Sequence, residues 1–162
     1  THADDDDPEI IIGGLRIDIL EGAFSWYIRS LEQVVSRDLE NRTKNHEISR
    51  RKGRITALLL VDDYPGIRPS QIADVLLRDR PSTGRLIDSL VDAGWIMRGV
   101  SSDDQRAQSL TITETGHAQA DELRAIIRQQ EDEFFDFIPE EDRAQFLKML
   151  KKAYLNMRKK VS

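Results

Sequence analysis

The feature that most constrains the fold of this chain is a pair of short helical patterns followed directly by a strand-like pattern. From about Ile67 to Gly94, apolar residues recur three and four positions apart in two runs, which predicts two helices joined by a short turn. Residues 95–100 are typical of a strand, residues 101–105 form a polar turn and residues 108–113 alternate, which predicts an antiparallel hairpin. A hairpin directly after a helix-turn-helix is a wing, so we expect a mainly α fold with a small β wing.

The ends of these helices carry residues with known terminal preferences. The run from Asp62 to Gly66 breaks the preceding helix, and Pro69 suits the first turn of the next one because its missing N–H would be unpaired there. The carboxylate of Asp79 can cap the second helix of the pair, and Gly94 suits the left-handed conformation just after its end. Both helices of the pair are therefore bounded by the sequence itself.

Long helical stripes lie on both sides of this segment. Apolar residues recur with helical spacing from Leu15 to about Leu39, and again in a helix from Glu140 to about Lys160, after Pro139. The N-terminal stripe contains Leu20, Phe24, Tyr27, Leu31 and Val34, and the C-terminal stripe contains Phe146, Leu147, Leu150, Tyr154 and Met157. One small domain offers little room to bury both stripes, so a partner subunit is the natural cover.

This organisation predicts four segments. Residues 1–14 form an acidic, disordered tail, and residues 15–48 form an N-terminal dimerisation helix with its connection. Residues 49–116 form a winged helix-turn-helix lobe, and residues 117–162 form C-terminal dimerisation helices.

The net charge of −5 is unusual for a DNA-binding protein, but its distribution is uneven. The first nine residues carry five acidic side chains, and without them the chain is neutral. Between Arg42 and Arg54, six basic residues stand against Glu47 alone. DNA responds to charge within a Debye length of about 8–10 Å, so this run is either a DNA-facing patch or a solvated loop and helix start.

Composition excludes several other classes of site. The chain has no cysteine, which rules out disulfides and thiolate metal sites, and its three histidines are too far apart to predict a multi-histidine metal site. No apolar run approaches the roughly 20 residues that span a bilayer, and the acidic start does not resemble a secretory signal. We expect a cytoplasmic protein with no cofactor, no metal and no membrane partner.

The candidate DNA-binding residues lie at the exposed ends of the two short helices and on the wing. A reading helix enters the major groove with its N-terminal residues, where an arginine can pair with guanine through two hydrogen bonds. An arginine on a wing can enter the narrow minor groove. The candidates are Ser70, Gln71, Arg80, Ser82, Thr83, Arg85 and Arg106, with Asp104 orienting Arg106.

The motifs around these residues resemble those of the MarR family of bacterial regulators. The wing sequence Asp104-Gln105-Arg106 is followed by Ile112-Thr113-Glu114-Thr115-Gly116, at the spacing that the family uses. Upstream, Ile72-Ala73 and Arg85-Leu86-Ile87-Asp88-Ser89-Leu90 match two further signatures of the family. The chain departs from the family at Leu77, where glycine is frequent, and at Pro81 and Gly84 inside the reading helix, which leaves the base contacts open.

The resemblance implies an obligate homodimer that binds a palindromic operator. It also implies a repressor released by a small ligand, such as an aromatic or phenolic acid, held between the dimer helices and the DNA-binding lobe. Our candidates for that pocket are Trp26, Tyr27, Arg29 and His46. Aromatic residues in a helical stripe are more often core, and a single histidine near a helix end is more often surface.

Two other functional classes are the alternatives to a regulator. A winged helix can also dock a protein without reading DNA, and titration with duplex DNA at two salt concentrations separates that alternative from a regulator. An enzyme is not expected, because the sequence contains no nucleophile elbow, phosphate-binding loop or metal-ligand cluster. The acidic residues around Pro139 are typical of a solvated helix junction.

Overall fold

The computed structural model describes residues 8–17, 20, 22–100 and 108–161. The secondary-structure elements, in chain order, are β1 (Ile11–Ile12), β2 (Leu15–Arg16), α1 (Phe24–Arg42), a 3-10 helix (Glu47–Arg50), α2 (Arg54–Asp63), α3 (Pro69–Leu76), α4 (Arg80–Asp92), β3 (Ile96–Val100), β4 (Gln108–Ile112), α5 (Glu114–Glu133) and α6 (Glu140–Val161). The fold is mainly α with a small β wing, as the sequence predicts.

The chain divides into two compact units, Thr1–Asp38 and Leu39–Ser162. In the first unit, β1 and β2 form an antiparallel hairpin in which Ile12 pairs with Leu15. The prediction of a helix beginning at Leu15 is therefore wrong at its N-terminal end, because α1 begins only at Phe24. Gly13 and Gly14 have φ values of 59° and 78°, and two consecutive left-handed residues favour a tight hairpin turn over a helix start.

The core of the second unit lies among α2, α3, α4, α5 and the wing. Its fully buried apolar side chains include Ile48, Leu58, Ile72, Ile87, Leu90, Ile96, Leu110 and Leu123. The buried residues Ala57 and Val61 of α2 lie four apart, and Ile87 and Leu90 of α4 lie three apart, so each of these helices turns one apolar face to the core. Within this core, the predicted reading helix α4 packs against α2, α3 and β3.

The predicted helix ends of the lobe are confirmed. Pro69 is the first residue of α3, and the carboxylate of Asp79 accepts the backbone N–H of Ser82 at 2.7 Å. Gly94 follows α4 with a φ of 75°, in the left-handed region that glycine adopts without a steric cost.

The wing is an antiparallel pair of strands. Ile96 pairs with Ile112 and Val100 with Gln108, so the register is regular over five residues of each strand. Ile67, just before α3, also bridges to Leu110 in β4. The wing is therefore joined to both ends of the helix-turn-helix.

The last helix has an apolar face that the chain itself does not cover. All five residues of the predicted C-terminal stripe lie in α6 with side chains between 42% and 54% exposed, and no residue of α6 is buried. In the N-terminal stripe, Phe24, Leu31 and Val34 are 85%, 59% and 56% exposed. Among the described residues, no helix is long and apolar enough to cross a membrane.

Candidate nucleic-acid interface

One side of α4 is anchored in the core and the other is exposed. Leu86, Ile87 and Leu90 are at most 4% exposed, whereas the side chains of Arg80 and Arg85 are exposed. A short helix held on one face and carrying two arginines on the other has the form that fits a major groove. The exposure of Arg80 and Arg85 is compatible with their predicted role, and their assignment as DNA contacts stays a prediction.

The prediction that Thr83 contacts DNA is wrong. Its side chain is only 1% exposed, and its hydroxyl donates a hydrogen bond to the backbone oxygen of Asp79 at 2.9 Å. Thr83 lies four residues before Ile87, so the helix turns it toward the core rather than toward a groove. Its neighbour Ser82 is half-buried, with its backbone N–H bound by the Asp79 carboxylate.

The start of α3 places two other predicted contacts at the surface. Ser70 and Gln71 are both exposed. The side-chain oxygen of Gln71 accepts the backbone N–H of Arg68 at 2.9 Å, which caps the first turn of α3. Gln71 is therefore oriented by the helix start before any ligand arrives.

The turn between α3 and α4 contains a left-handed residue that is not glycine. Leu77 has a φ of 51°, a left-handed conformation that costs a side-chain-bearing residue about 1 kcal/mol or more. The next residue stabilises the turn: the backbone N–H of Arg78 donates to Ala73 at 3.0 Å, and its guanidinium donates to the backbone oxygen of Lys52 at 2.7 Å. Arg78 is not among the predicted residues, because its only signal in the sequence is its position beside the turn.

An ion pair joins the reading helix to the wing. Asp88 in α4 pairs with Arg98 in β3, and both side chains are partly exposed. This pair adds a contact between α4 and the first wing strand and neutralises a carboxylate on the exposed side of the helix. The predicted wing contacts, Asp104 and Arg106, lie outside the described residues.

A buried arginine contacts the same helix at the next residue along, Ser89. Arg54 is 4% exposed, and its guanidinium donates to the backbone oxygens of Glu47 at 3.2 Å and Ser89 at 3.0 Å. The guanidinium also lies 5.0 Å from the ring centre of Trp95, which favours a cation–π contact. Burial lowers the pKa of Arg54 from its ordinary value, since a buried cation loses its hydration. Arg54 thus ties the 3-10 helix, α4 and the residue before β3 together.

The candidate ligand-pocket residues belong to both units. In the first, Trp26 and Tyr27 are half-buried and meet edge to face with ring centres 4.9 Å apart, while Arg29 is exposed. In the second, a ring nitrogen of His46 lies 3.3 Å from the side-chain nitrogen of Gln119. The assignment of these four residues to a ligand site stays a prediction.

A cluster of ionisable side chains links α2 to α5. A ring nitrogen of His117 lies 2.7 Å from Asp62, and Arg124 contacts Asp62 at 2.6 Å, Asp63 at 2.7 Å and Asp121 at 3.1 Å. Burial of Asp62 favours its neutral form, but the hydrogen bonds from His117 and Arg124 outweigh burial and lower its pKa. Asp62, His117 and Asp121 offer three atoms close enough for one metal ion, yet Arg124 already supplies the positive charge between the two carboxylates.

Replacing His117 with glutamine is expected to change how stability depends on pH. The hydrogen bond to Asp62 raises the pKa of His117, aided by the charges of Asp62 and Asp121, so the folded state binds this proton more tightly than the unfolded chain. That stabilisation is fully present below about pH 6.5 and is lost as pH rises through the folded pKa. Urea unfolding at several pH values should show the wild-type free energy of unfolding approaching that of the variant as pH rises. Two curves that stay parallel would contradict this expectation.

A family profile and two curated proteins are similar to the lobe. The profile of the MarR family matches residues 52–107. Over 51 residues the chain is 39% identical to the transcriptional repressor MprA of Escherichia coli K12, and equally to MprA of E. coli O157:H7. The match covers 32% of this chain and 29% of MprA, so it spans less than a third of these relatives' length.

Solved structures share the fold over most of the chain. The transcriptional regulator SlyA superposes with a TM-score of 0.75 at 20% identity, over 88% of this chain and 96% of SlyA. The repressor CouR bound to a 23-mer DNA duplex gives a TM-score of 0.78 at 23% identity, over 86% and 98%. CouR from Rhodococcus jostii RHA1 bound to p-coumaroyl-CoA gives 0.72 at 18% identity, over 83% and 93%. At these identities the likeness establishes the winged-helix fold.

Proposed function

We propose that this chain, whose residues 52–107 match the MarR family profile, is a regulator of that family: a homodimeric, sequence-specific DNA-binding protein, and a repressor released by a small ligand. The observation that carries the proposal is the exposed side of α4. Arg80 and Arg85 are exposed on this helix, whose opposite face is buried in the core and which an ion pair links to the first wing strand. Because α4 is already fixed against the core, binding to base edges does not carry the cost of ordering the helix itself.

Binding to duplex DNA is supported by the likeness to a protein of the same fold in its bound form. CouR bound to a 23-mer duplex shares its fold with 86% of this chain. The arginines of α4 supply the donors for guanine, and Ser70 and Gln71 supply short polar groups at the start of the neighbouring helix. The wing residues Asp104 and Arg106 are proposed to complete the contact in the minor groove.

The homodimer is supported by the apolar faces that the single chain leaves exposed. Contiguous apolar patches of this kind in soluble proteins mark interaction sites. A second copy would cover the stripes of both terminal helices and place two reading helices about one helical turn of DNA apart. A palindromic operator follows from that two-fold symmetry.

A ligand-released repressor is the remaining part of the proposal. CouR in complex with p-coumaroyl-CoA, whose acyl group is phenolic, shares the fold at 18% identity. In this chain the edge-to-face pair of Trp26 and Tyr27 can stack on an aromatic acid, while Arg29 can pair with a carboxylate. A thermal-shift screen with aromatic and phenolic acids tests this part separately from DNA binding.

Selection from a random duplex library tests DNA reading and does not require the operator sequence. We expect enrichment of an inverted repeat, and binding to the enriched duplex that weakens steeply as salt rises, because binding releases counterions from the phosphates. No enrichment, together with no duplex binding at low salt, would exclude the regulator and leave the protein-docking alternative.

Replacing Arg85 with alanine is expected to weaken binding to the enriched duplex by about 1–3 kcal/mol, and binding to random duplex by less. The difference arises because a base contact discriminates between sequences whereas a phosphate contact does not. Fluorescence anisotropy with both duplexes measures it. Arg128→Ala, which removes an exposed arginine from α5, is the matched control. Equal losses on both duplexes would remove Arg85 from the reading surface.

A further inference from the structure

The structure gives different roles to the residues of the basic run that precedes α2. Arg42 pairs with Glu133 at 2.8 Å, and Arg54 is buried against α4 and Trp95. Arg50 and Arg51 differ from both, because their side chains are exposed and, in the part of the chain that the structure describes, form neither an ion pair nor a hydrogen bond. Their charges are therefore available to a partner.

These two arginines lie beside the reading helix. Arg50, Arg51 and Arg85 line one open cavity between the 3-10 helix and α4. Arg54 fixes this arrangement from below, since one guanidinium binds backbone oxygens on both sides, Glu47 in the 3-10 helix and Ser89 in α4. The 3-10 helix is thereby held as a rigid flank of the helix that is proposed to enter the groove.

The charges of the cavity favour a polyanion outside it over a small anion within it. Glu47 and Asp92 line its walls, which disfavours a buried anion, whereas Asp88 is already neutralised by Arg98. Arg50 and Arg51 lie close enough to Arg54 to lower its pKa, which adds to the larger effect of burial. The positive potential is thus concentrated at the exposed edge of the cavity. A DNA strand bordering the major groove would pass along such an edge, and each strand carries one negative charge per roughly 3.4 Å of duplex axis.

We propose that Arg50 and Arg51 form a second DNA contact, in which their guanidiniums bind phosphates of the strand that flanks the reading helix. The inference rests on the proposed function, because it needs a duplex seated on α4. Phosphate contacts fix the position of a protein on a duplex without reading its sequence. Arg50 and Arg51 therefore contribute affinity and register, and Arg85 contributes base discrimination.

The double variant Arg50→Ala/Arg51→Ala tests this assignment with a random-sequence duplex of about 30 base pairs, long enough for two half-sites one helical turn apart. The logarithm of the association constant is measured against the logarithm of KCl concentration, from about 50 to 200 mM. Each lost phosphate contact reduces the slope by about 0.9, so we expect a reduction of about 1.8 for each protomer that engages the duplex. The affinity for random and enriched duplexes should fall by the same factor.

The control variant Arg37→Ala/Arg128→Ala removes two exposed arginines from α1 and α5 and makes the same change in net charge. Its slope should match that of the wild type, and circular dichroism should show both variants folded. A double variant at 50 and 51 with an unchanged slope would overturn the second contact while leaving the regulator intact. A wild type that binds no duplex at any salt concentration would overturn both. A loss confined to the enriched duplex would show base reading instead of phosphate binding.

Discussion

Replacing Gly116 with alanine is expected to destabilise the protein by about 3 kcal/mol, at the upper end of the usual cost of overpacking. A Cβ at this position would lie 1.9 Å from the backbone oxygen of Trp95 and 2.9 Å from a methyl group of Ile112. The clash cannot be relieved by a side-chain rotation alone, because the nearer atom belongs to the backbone.

The same carbonyl takes part in the start of α5. The backbone oxygen of Trp95 accepts the backbone N–H of Thr113 at 3.0 Å, and the hydroxyl of Thr113 accepts the backbone N–H of Gly116 at 3.0 Å. Moving Trp95 away from a new methyl group would therefore strain the cap of α5 and the entry to β3 together. For a chain of this length, a loss of 3 kcal/mol corresponds to a fall in Tm of roughly 6 to 12 °C.

Gly84→Ala is the matched control for that substitution. No atom lies within 4 Å of the Cβ that would be added at Gly84, which is in the interior of α4. Alanine should raise the free energy of unfolding by about 0.5–1 kcal/mol, because glycine loses more backbone freedom in a helix. Thermal denaturation of the three proteins at one concentration measures both effects. A Gly116→Ala variant as stable as the wild type would contradict the close approach of α5 to Trp95.

Replacing Leu150 with glutamate is expected to convert the proposed dimer to monomers and to weaken binding to the enriched duplex roughly a hundredfold or more. Leu150 is 49% exposed in the single chain, at the centre of the apolar stripe of α6. Burying a carboxylate in that interface without a partner carries a large desolvation cost. The loss on DNA follows because two linked half-site contacts bind about 10² to 10⁴ times more tightly than one.

The control for this substitution is Gln145→Glu, which adds the same negative charge to α6. Gln145 lies on the polar side of the helix, with Lys148 and Lys152 three and seven residues further on. Light scattering coupled to size-exclusion chromatography gives the mass of each variant in solution. A dimeric Leu150→Glu variant would show that another face joins the two copies, and a monomeric wild type would exclude the dimer.

The lobe was predictable because its signals are local. Pro69, Asp79 and Gly94 mark helix ends through the conformation or hydrogen bonds of their own residues, and these marks need no tertiary context. The burial of Thr83 was also within reach, since it falls on the same helical face as Ile87 and Leu90. The prediction that Thr83 contacts DNA followed its polar neighbours in the sequence, whereas its helical position already indicated a buried side chain.

The remaining features depend on contacts between distant residues. Gly13 and Gly14 gave the hairpin its turn, but the apolar spacing after them is equally typical of a helix. The reason for glycine at 116 became visible only with the backbone of Trp95 beside it. In the same way, the sequence does not distinguish Arg54 and Arg98 from its other basic residues. The burial of Arg54 against α4 and the ion pair of Arg98 with Asp88 are visible only in the structure.

Trp95 lies where the reading helix, the wing and the buried guanidinium of Arg54 meet. The chain has only one other tryptophan, Trp26, which belongs to the first unit. The lobe therefore carries its own optical reporter. In a Trp26→Phe protein, all indole emission would come from this junction, so that seating of α4 on a duplex could be followed in real time without an attached dye.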